Sequence, residues 1–215
     1  MKYPPKPHQE NAPDKIEALM RNYPFAHLFS TNHQRHNVTR LPFILDTQNG
    51  TPQRLRAHMN AQNLQAETLD GSDVLVAFSG PDSYVSPNWR TDSKRGATWD
   101  YTAVHVWGRA KLRTEREFFK KLITDLAAAA EPNFKGISDL PDWSYDTVTT
   151  EYVDRLFPHL VSFEIEIEDI KAISKLHQDF PKEDAASVAD HMAKSDNPQS
   201  QAVASLIKQR LDDKP

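Results

Sequence analysis

Three Trp, two Tyr and one His fall between Phe78 and Gly108, in a chain whose aromatics make up only 9% of its residues. Rings at this density offer stacking surface to a flat ligand, and the hydroxyls between them offer donors to its polar edge. Ser86, Trp89, Thr98, Trp99 and Tyr101 are the candidates of this kind. His105 alternates with Val104 and Val106 and shares a strand face with Trp107. That pattern suits a donor at a cleft or a hydrogen-bonded barrel histidine. The same rings would also fill a β-barrel core or a subunit interface, and composition leaves those readings open.

Other chemistries find no support in the residues. The chain has no cysteine, which excludes disulfides and thiolate metal sites. His33-x-x-His36 has too few ligands around it and reads as a surface pair in a turn. Gly-x-Gly-x-x-Gly, Gly-x-x-x-x-Gly-Lys and Gly-x-Ser-x-Gly patterns do not occur, so no Rossmann, P-loop or nucleophile-elbow site is indicated. Glu164, Glu166 and Glu168 alternate with apolar residues and read as the solvated face of a strand.

A length of 215 residues supports one substantial core. The net charge of −4 gives no basic surface for displacing counterions from phosphate, so direct nucleic-acid binding is not expected. No apolar run reaches membrane-span length, and Met1-Lys2-Tyr3-Pro4-Pro5 lacks a signal-peptide core. A soluble, cytoplasmic protein with no membrane partner is the expectation.

The elements that must position these residues follow from patterning. Asn11-Ala12-Pro13-Asp14 opens a helix continued by Ile16, Leu19, Met20 and Tyr23. Phe25–Thr31 and Asn37–Leu45 read as paired strands joined by a polar turn over Asn32–His36, and Asn49-Gly50 marks a hairpin. Val74–Phe78 is an apolar run fit for a strand covered on both faces. Thr114-Glu115-Arg116-Glu117 reads as a capping box ahead of Phe118, Leu122 and Leu126, placing a helix over 114–130. Val161, Phe163, Ile165 and Ile167 form a half-buried strand. Ala185, Val188, Ala189 and Met192 mark one helix, and Asn197-Pro198 starts another through Leu211. The sum is a mainly β protein with peripheral helices, and periodicity does not choose between a barrel and an α+β sheet.

Gly80-Pro81-Asp82-Ser83-Tyr84-Val85-Ser86-Pro87-Asn88-Trp89 and Ala97-Thr98-Trp99-Asp100-Tyr101-Thr102-Ala103-Val104-His105-Val106-Trp107-Gly108 resemble, in order, the two central motifs of the PaiB family of FMN-binding regulators. Tyr3-Pro4-Pro5, Thr39-Arg40-Leu41-Pro42-Phe43, Ala57-His58-Met59, Val161-Ser162-Phe163-Glu164-Ile165 and Lys175-Leu176-His177-Gln178 resemble its other landmarks, so the likeness spans nearly the whole chain. It implies a homodimeric FMN-binding split β-barrel with flavin in the clefts between subunits. In those terms residues 1–170 are the barrel with its N-terminal and inserted helices, and 171–215 a helical extension packed on it.

FMN needs a surface for its ring, donors for its edge and cations or N–H groups for its phosphate. The resemblance adds Thr39, Arg40, Leu41 and Pro42 as the ring strand, with Pro42 removing a backbone donor there. His58 lies in a stretch the family associates with the cofactor, and Asn63, Lys175 and Gln178 stand at matching positions. Two stretches depart from the pattern. Asn60-Ala61-Gln62-Asn63-Leu64 lacks the family's basic residue, for which Arg56, beside Arg54, is a substitute. Asp179-Phe180 replaces Asn-Arg, and its negative charge opposes a phosphate. Alternatives on the same barrel are an FMN-dependent oxidoreductase of the flavin reductase or pyridoxamine phosphate oxidase kind, and a haem-binding or haem-degrading protein.

Overall fold

A computed structural model describes residues 3–32, 35–137 and 140–213. Eight strands lie among these residues: β1 (Gln9–Glu10), β2 (Phe25–Asn32), β3 (Arg35–Pro42), β4 (Ile44–Gln48), β5 (Thr51–Asn60), β6 (Asp73–Val85), β7 (Thr98–Arg113) and β8 (Leu160–Lys175). The order β3-β2-β6-β7-β8-β5-β4 is an unclosed sheet, with β1 beside β8. The registers of β2 with β3 and β6, β5 with β4 and β8, and β1 with β8 are all antiparallel. The helices are α1 (Pro13–Asn22), α2 (Arg116–Ala130), α3 (Thr150–Leu156), α4 (Lys182–Met192) and α5 (Pro198–Asp212). The expected mainly β architecture with peripheral helices is therefore observed.

The chain contributes to two compact units. One takes Met1–Leu19, Ser79–Val104 and Lys171–Pro215; the other takes Met20–Phe78 and His105–Ile170. In the second, Phe43 meets Phe78 and Phe163 edge to face at ring distances of 6.0 and 6.4 Å. Leu28, Leu55, Val76 and Ile165 are buried in the same unit. In the first, α4 and α5 bury Ala185, Val188, Met192, Val203 and Ile207 with Val85 and Leu176. Asn197 caps α5 by accepting from the Gln199 N–H, as its position before Pro198 predicts.

Several boundaries differ from the sequence reading. Asn37–Leu45 is two strands, because the chain turns at Phe43, whose N–H donates to the Pro24 carbonyl. Val74–Phe78 is the first part of a strand that runs on through Gly80-Pro81 to Val85. Gly80 is required there: a Cβ would lie 2.0 Å from the Thr102 hydroxyl oxygen. The capping box before α2 does not form. Glu115 is the N-cap and its carboxylate turns back to the Arg113 guanidinium, a charge-assisted bond that outcompetes a backbone N–H. The Glu row is not uniformly solvated either, since Glu164 is half-buried and takes bonds from Arg54 and Arg113 at 3.0 and 2.9 Å. Helix α3 was not anticipated, although its cap, Thr149 accepting from the Tyr152 N–H, was readable from the chain. The Asn49-Gly50 hairpin is as expected, with φ of +52° and +74° joining β4 to β5.

Candidate functional site

The fifteen residues named from the sequence fall into two groups, one in each unit. Ser86, Trp89, Thr98, Trp99, Tyr101, Lys175 and Gln178 belong to the first unit, and Thr39, Arg40, Leu41, Pro42, Arg56, His58, Asn63 and His105 to the second.

In the first group the structure brings Thr98, Trp99 and Lys175 together. Lys175, the last residue of β8, donates from Nζ to the Thr98 hydroxyl and to the Trp99 carbonyl. The Trp99 ring is 54% exposed and meets the Tyr84 ring, itself 47% exposed, edge on at 6.1 Å. An exposed indole is a stacking surface, and the ammonium and hydroxyl stand on the same strand end that carries it. Tyr101, two residues on and on the same strand face, shares a hydrogen bond of 2.9 Å with the Tyr3 hydroxyl. Burial and that bond push its phenol up to about 12, so it is a neutral donor at physiological pH.

Ser86, Trp89 and Gln178 have local partners. The Ser86 hydroxyl caps the turn over Pro87–Trp89 by accepting from the Asn88 N–H. Trp89 stacks on His191 of α4 at 5.6 Å and packs against the helical cluster. Gln178 donates to the Pro7 and Ser174 carbonyls and accepts from the Leu176 N–H, which ties the turn after β8 to the N-terminal segment.

In the second group the pairing Thr39–Asn63 is direct: the Asn63 amide donates to the Thr39 hydroxyl at 2.8 Å while its carbonyl oxygen caps the turn at Leu64–Thr68. Leu41 faces the core, and Pro42 ends β3 opposite Phe25 at the limit of the sheet order. Arg40 is exposed, donates to the Phe25 carbonyl and stacks on the Phe25 ring at 4.8 Å. No carboxylate pairs with it among the described residues.

Arg56 is a different kind of cation. It is 4% exposed and bonds Asp46 at 2.7 and 2.8 Å and Asp125 at 2.6 Å. Burial alone would raise the Asp46 carboxyl, but Arg56 and Arg54 together hold it below its ordinary value. Arg54 is likewise engaged by Asp46 and Glu164. A phosphate at Arg56 would meet two carboxylates already in place, so the substitution of Arg54 and Arg56 for the absent basic residue is not what this geometry favours; Arg40 is the better cation.

His58 lies edge on to Phe119 at 6.1 Å, and its Nδ1 is buried with no partner. Burial lowers its pKa, and burial also lowers that of His105, which sits edge on to Trp107 at 5.9 Å. Both rings are neutral near pH 7, so they serve as donors or acceptors rather than as cations. His36, of the surface pair set aside as a metal site, has Nδ1 3.1 Å from the Thr31 hydroxyl, while His33 lies outside the described residues. No cluster fit to hold a metal occurs among the described residues.

Sequence reasoning missed His177 and Asp100 and their link to Arg90. His177 is completely buried, with Nδ1 2.7 Å from the Asp100 carboxylate and Nε2 accepting from Arg90 Nε at 3.0 Å. His177 and Asp100 were inside quoted motifs, and a charged residue between two ring-bearing positions of a strand was the available signal.

The flavin implied by the resemblance fits the donor set. In the first unit Trp99 presents ring surface and Thr98 and Lys175 present a donor and a cation; in the second, Arg40 has no carboxylate partner among the described residues. Comparison with known proteins agrees in kind. The Bacillus subtilis protein named Protease synthase and sporulation protein PAI 2 is 26% identical over 210 residues, 97% of this chain and 98% of that protein. Among solved structures, the FAD and heme binding protein from Mycobacterium smegmatis superposes with a TM-score of 0.56 at 11% identity, over 78% of this chain and 73% of that one. The flavocytochrome Anf3 from Azotobacter vinelandii gives 0.57 at 14%, over 77% and 68%. At such identities these two establish the fold. The family model described as "Putative FMN-binding domain" matches residues 2–169, and this chain belongs to that family.

Proposed function

We propose that this protein binds FMN as a homodimer and acts in the cytoplasm as a flavin-dependent regulatory module of the PaiB type. The observation that carries the reading is the Lys175–Thr98–Trp99 arrangement, in which Lys175 is bonded to the Thr98 hydroxyl and the Trp99 carbonyl of a strand end that exposes Trp99. Family membership supports the choice of FMN as the flat ligand. Trp99 would stack on the ring system, and Thr98 and Lys175 would supply a donor and a cation from the same strand end. Bound flavin would supply any redox chemistry, and the protein would set its access and surroundings. With a net charge of −4, an indirect effect on transcription through a ligand or a partner fits better than direct DNA contact. No helix among the described residues is long and apolar enough to cross a membrane. The oxidoreductase and haem readings rest on fold likeness alone and are not better supported.

The test is the visible spectrum of the purified protein before and after adding FMN, together with its mass in solution. Flavin bands near about 375 and 450 nm with one FMN per subunit of a dimer are the expected result. A colourless dimer that ignores FMN would remove the flavin from the reading, and a monomer would remove the dimer. Bleaching of the bound flavin by NAD(P)H, followed by reoxidation by a substrate, would favour the oxidoreductase.

A further inference from the structure

The buried chain Asp100–His177–Arg90 touches no surface where a ligand could stack, yet it ties together the segments that carry the Thr98–Trp99 site. Arg90 Nε always bears a hydrogen, so His177 Nε2 accepts it and the ring proton belongs on Nδ1, donating to Asp100. Asp100 lies on β7 between Trp99 and Tyr101. Arg90 opens the loop over residues 90–97, and its Nη1 spans that loop to the Gly96 carbonyl at 3.0 Å. The Phe180 ring stacks on His177 at 4.2 Å and takes the guanidinium carbons of Arg90 and Arg95 at 4.3 and 4.6 Å. Thr91 adds two bonds to Asp184 at the start of α4, at 2.8 and 2.6 Å. Both ends of the loop and the start of β7 are thus held by one turn, Leu176–Phe180.

Stability alone does not account for this choice of residues. A buried charged network is a poor substitute for apolar packing, and this one leaves Arg90 Nη2 and Asp100 Oδ1 without protein partners. His177 also holds a φ of +61°, in the left-handed region that few residues other than glycine adopt, histidine being among the more tolerant of them. Strain and unsatisfied polar atoms at one buried point are what a site under positional constraint carries. The Asp179-Phe180 departure from the family pattern acquires a role here, since Phe180 closes the stack.

We propose that His177 is a positioning residue for the ligand site. Acting through Asp100 and Arg90, it fixes the first residues of β7 and the 90–97 loop, so that Thr98 and the Trp99 carbonyl stay under Lys175 when a ligand arrives. The identity of that ligand rests on the flavin reading; the clamp on the loop does not.

The test compares full-length wild type with His177→Ala, His177→Asn and Arg90→Lys by FMN titration and by limited trypsin digestion. Arg90, Lys94 and Arg95 are cleavage points in the loop, and Lys120-Lys121 of α2 is an internal control for global unfolding. His177→Ala is expected to speed loop cleavage and weaken FMN binding, each by about tenfold or more, with α2 cleavage unchanged. His177→Asn keeps a donor for Asp100 and tolerates positive φ, so it should restore most of both. If His177→Ala fails to fold, Arg90→Lys, which removes the Nε donor but keeps the charge, must release the loop in the same way. Loop cleavage and FMN affinity within twofold of wild type in a folded His177→Ala or Arg90→Lys protein would overturn the proposal. If wild type binds no FMN, the flavin reading fails and the trypsin comparison alone decides the clamp.

Discussion

Lys175 closes β8 onto the start of β7 by donating to both the hydroxyl of Thr98 and the carbonyl of its neighbour Trp99. One ammonium therefore does two things: it satisfies a strand-end carbonyl and it sets a positive charge on the strand end that carries an exposed Trp. Replacing Lys175 by Met keeps the apolar stem and removes the charge. If the ammonium also addresses the flavin, FMN affinity should fall about tenfold to a hundredfold, the range for a charged hydrogen bond. A loss of thermal stability with unchanged affinity would reduce Lys175 to a strand tether.

Trp99 separates ligand binding from folding more cleanly. Its ring is 54% exposed, so Trp99→Ala should change stability by no more than about 0.5 kcal/mol. Loss of an aromatic stack should weaken FMN by about twofold to tenfold and relieve quenching of the flavin's fluorescence. Normal quenching in the variant would place the ring elsewhere.

Arg56 should behave in the opposite way, as a determinant of stability. Its guanidinium is the shared partner of Asp46 and Asp125, and Arg56→Ala would leave two carboxylates facing each other around a cavity. Because Asp46 keeps Arg54 and Asp125 keeps Lys121, the loss is that of charged hydrogen bonds at a partly buried site, about 1–3 kcal/mol, or a fall in melting temperature of about 2–12 °C. For both carboxyls burial opposes ionisation, yet bonding to Arg56 and, respectively, Arg54 or Lys121 leaves them below 3.8. Their contribution is present above the unfolded value of 3.8 and is lost as pH falls through their folded values. The acid limb of the stability profile, below about pH 4, should therefore flatten in the variant.

His58 governs a milder range of pH. Burial lowers its pKa from 6.5, so the unfolded chain takes up a proton first as pH falls. Stability is unaffected above about pH 7 and declines as pH drops below 6.5. His105 adds to the same slope. His58→Leu should reduce the difference in melting temperature between pH 7.5 and pH 5.5, and an unchanged difference would assign the slope elsewhere.

Two glycines offer a matched pair of steric tests. A Cβ on Gly80 would meet the Thr102 side-chain oxygen at 2.0 Å, whereas one on Gly108 would meet the Glu166 backbone oxygen at the same distance. Gly80→Ala should cost about 1–3 kcal/mol and be largely rescued by Thr102→Ala in a double-mutant cycle. Gly108→Ala should cost at least as much and resist rescue by any trimming of side chains. Denaturant midpoints of the single and double variants decide both points.

Much of the chain's organisation was legible because it depends on local rules. Pro13 and Asn197-Pro198 mark helix starts by their fixed φ and missing donor, and Asn49-Gly50 marks a turn that requires positive φ. The cap of α2 was misread because Thr114 and Glu117 met the pattern while Arg113, one residue outside it, captured Glu115. The apolar run Val74–Phe78 reveals only the first part of β6, because beyond it Gly80, Pro81, Asp82 and Ser83 carry no apolar pattern and their place in the strand depends on close packing against Thr102. Of the candidate site, Thr98, Trp99 and Lys175 were named individually, but nothing in their spacing joined residues 98 and 175.

The sequence by itself determined most of the strands and helices, the family and the supply of aromatic and hydroxyl groups in one window, since each is written in nearest-neighbour patterns or in motif order. Tertiary structure alone decided which cation is which. Arg40, Arg54, Arg56, Arg90 and Lys175 are equivalent as letters, and each can serve a phosphate, a carboxylate or a backbone carbonyl. Folding placed Asp46 and Asp125 on Arg56, buried Arg90 against His177 and left Arg40 on a ring with no acid paired to it among the described residues. A charge in a protein is defined by what desolvates it and what pairs with it, and both come from residues distant in the chain.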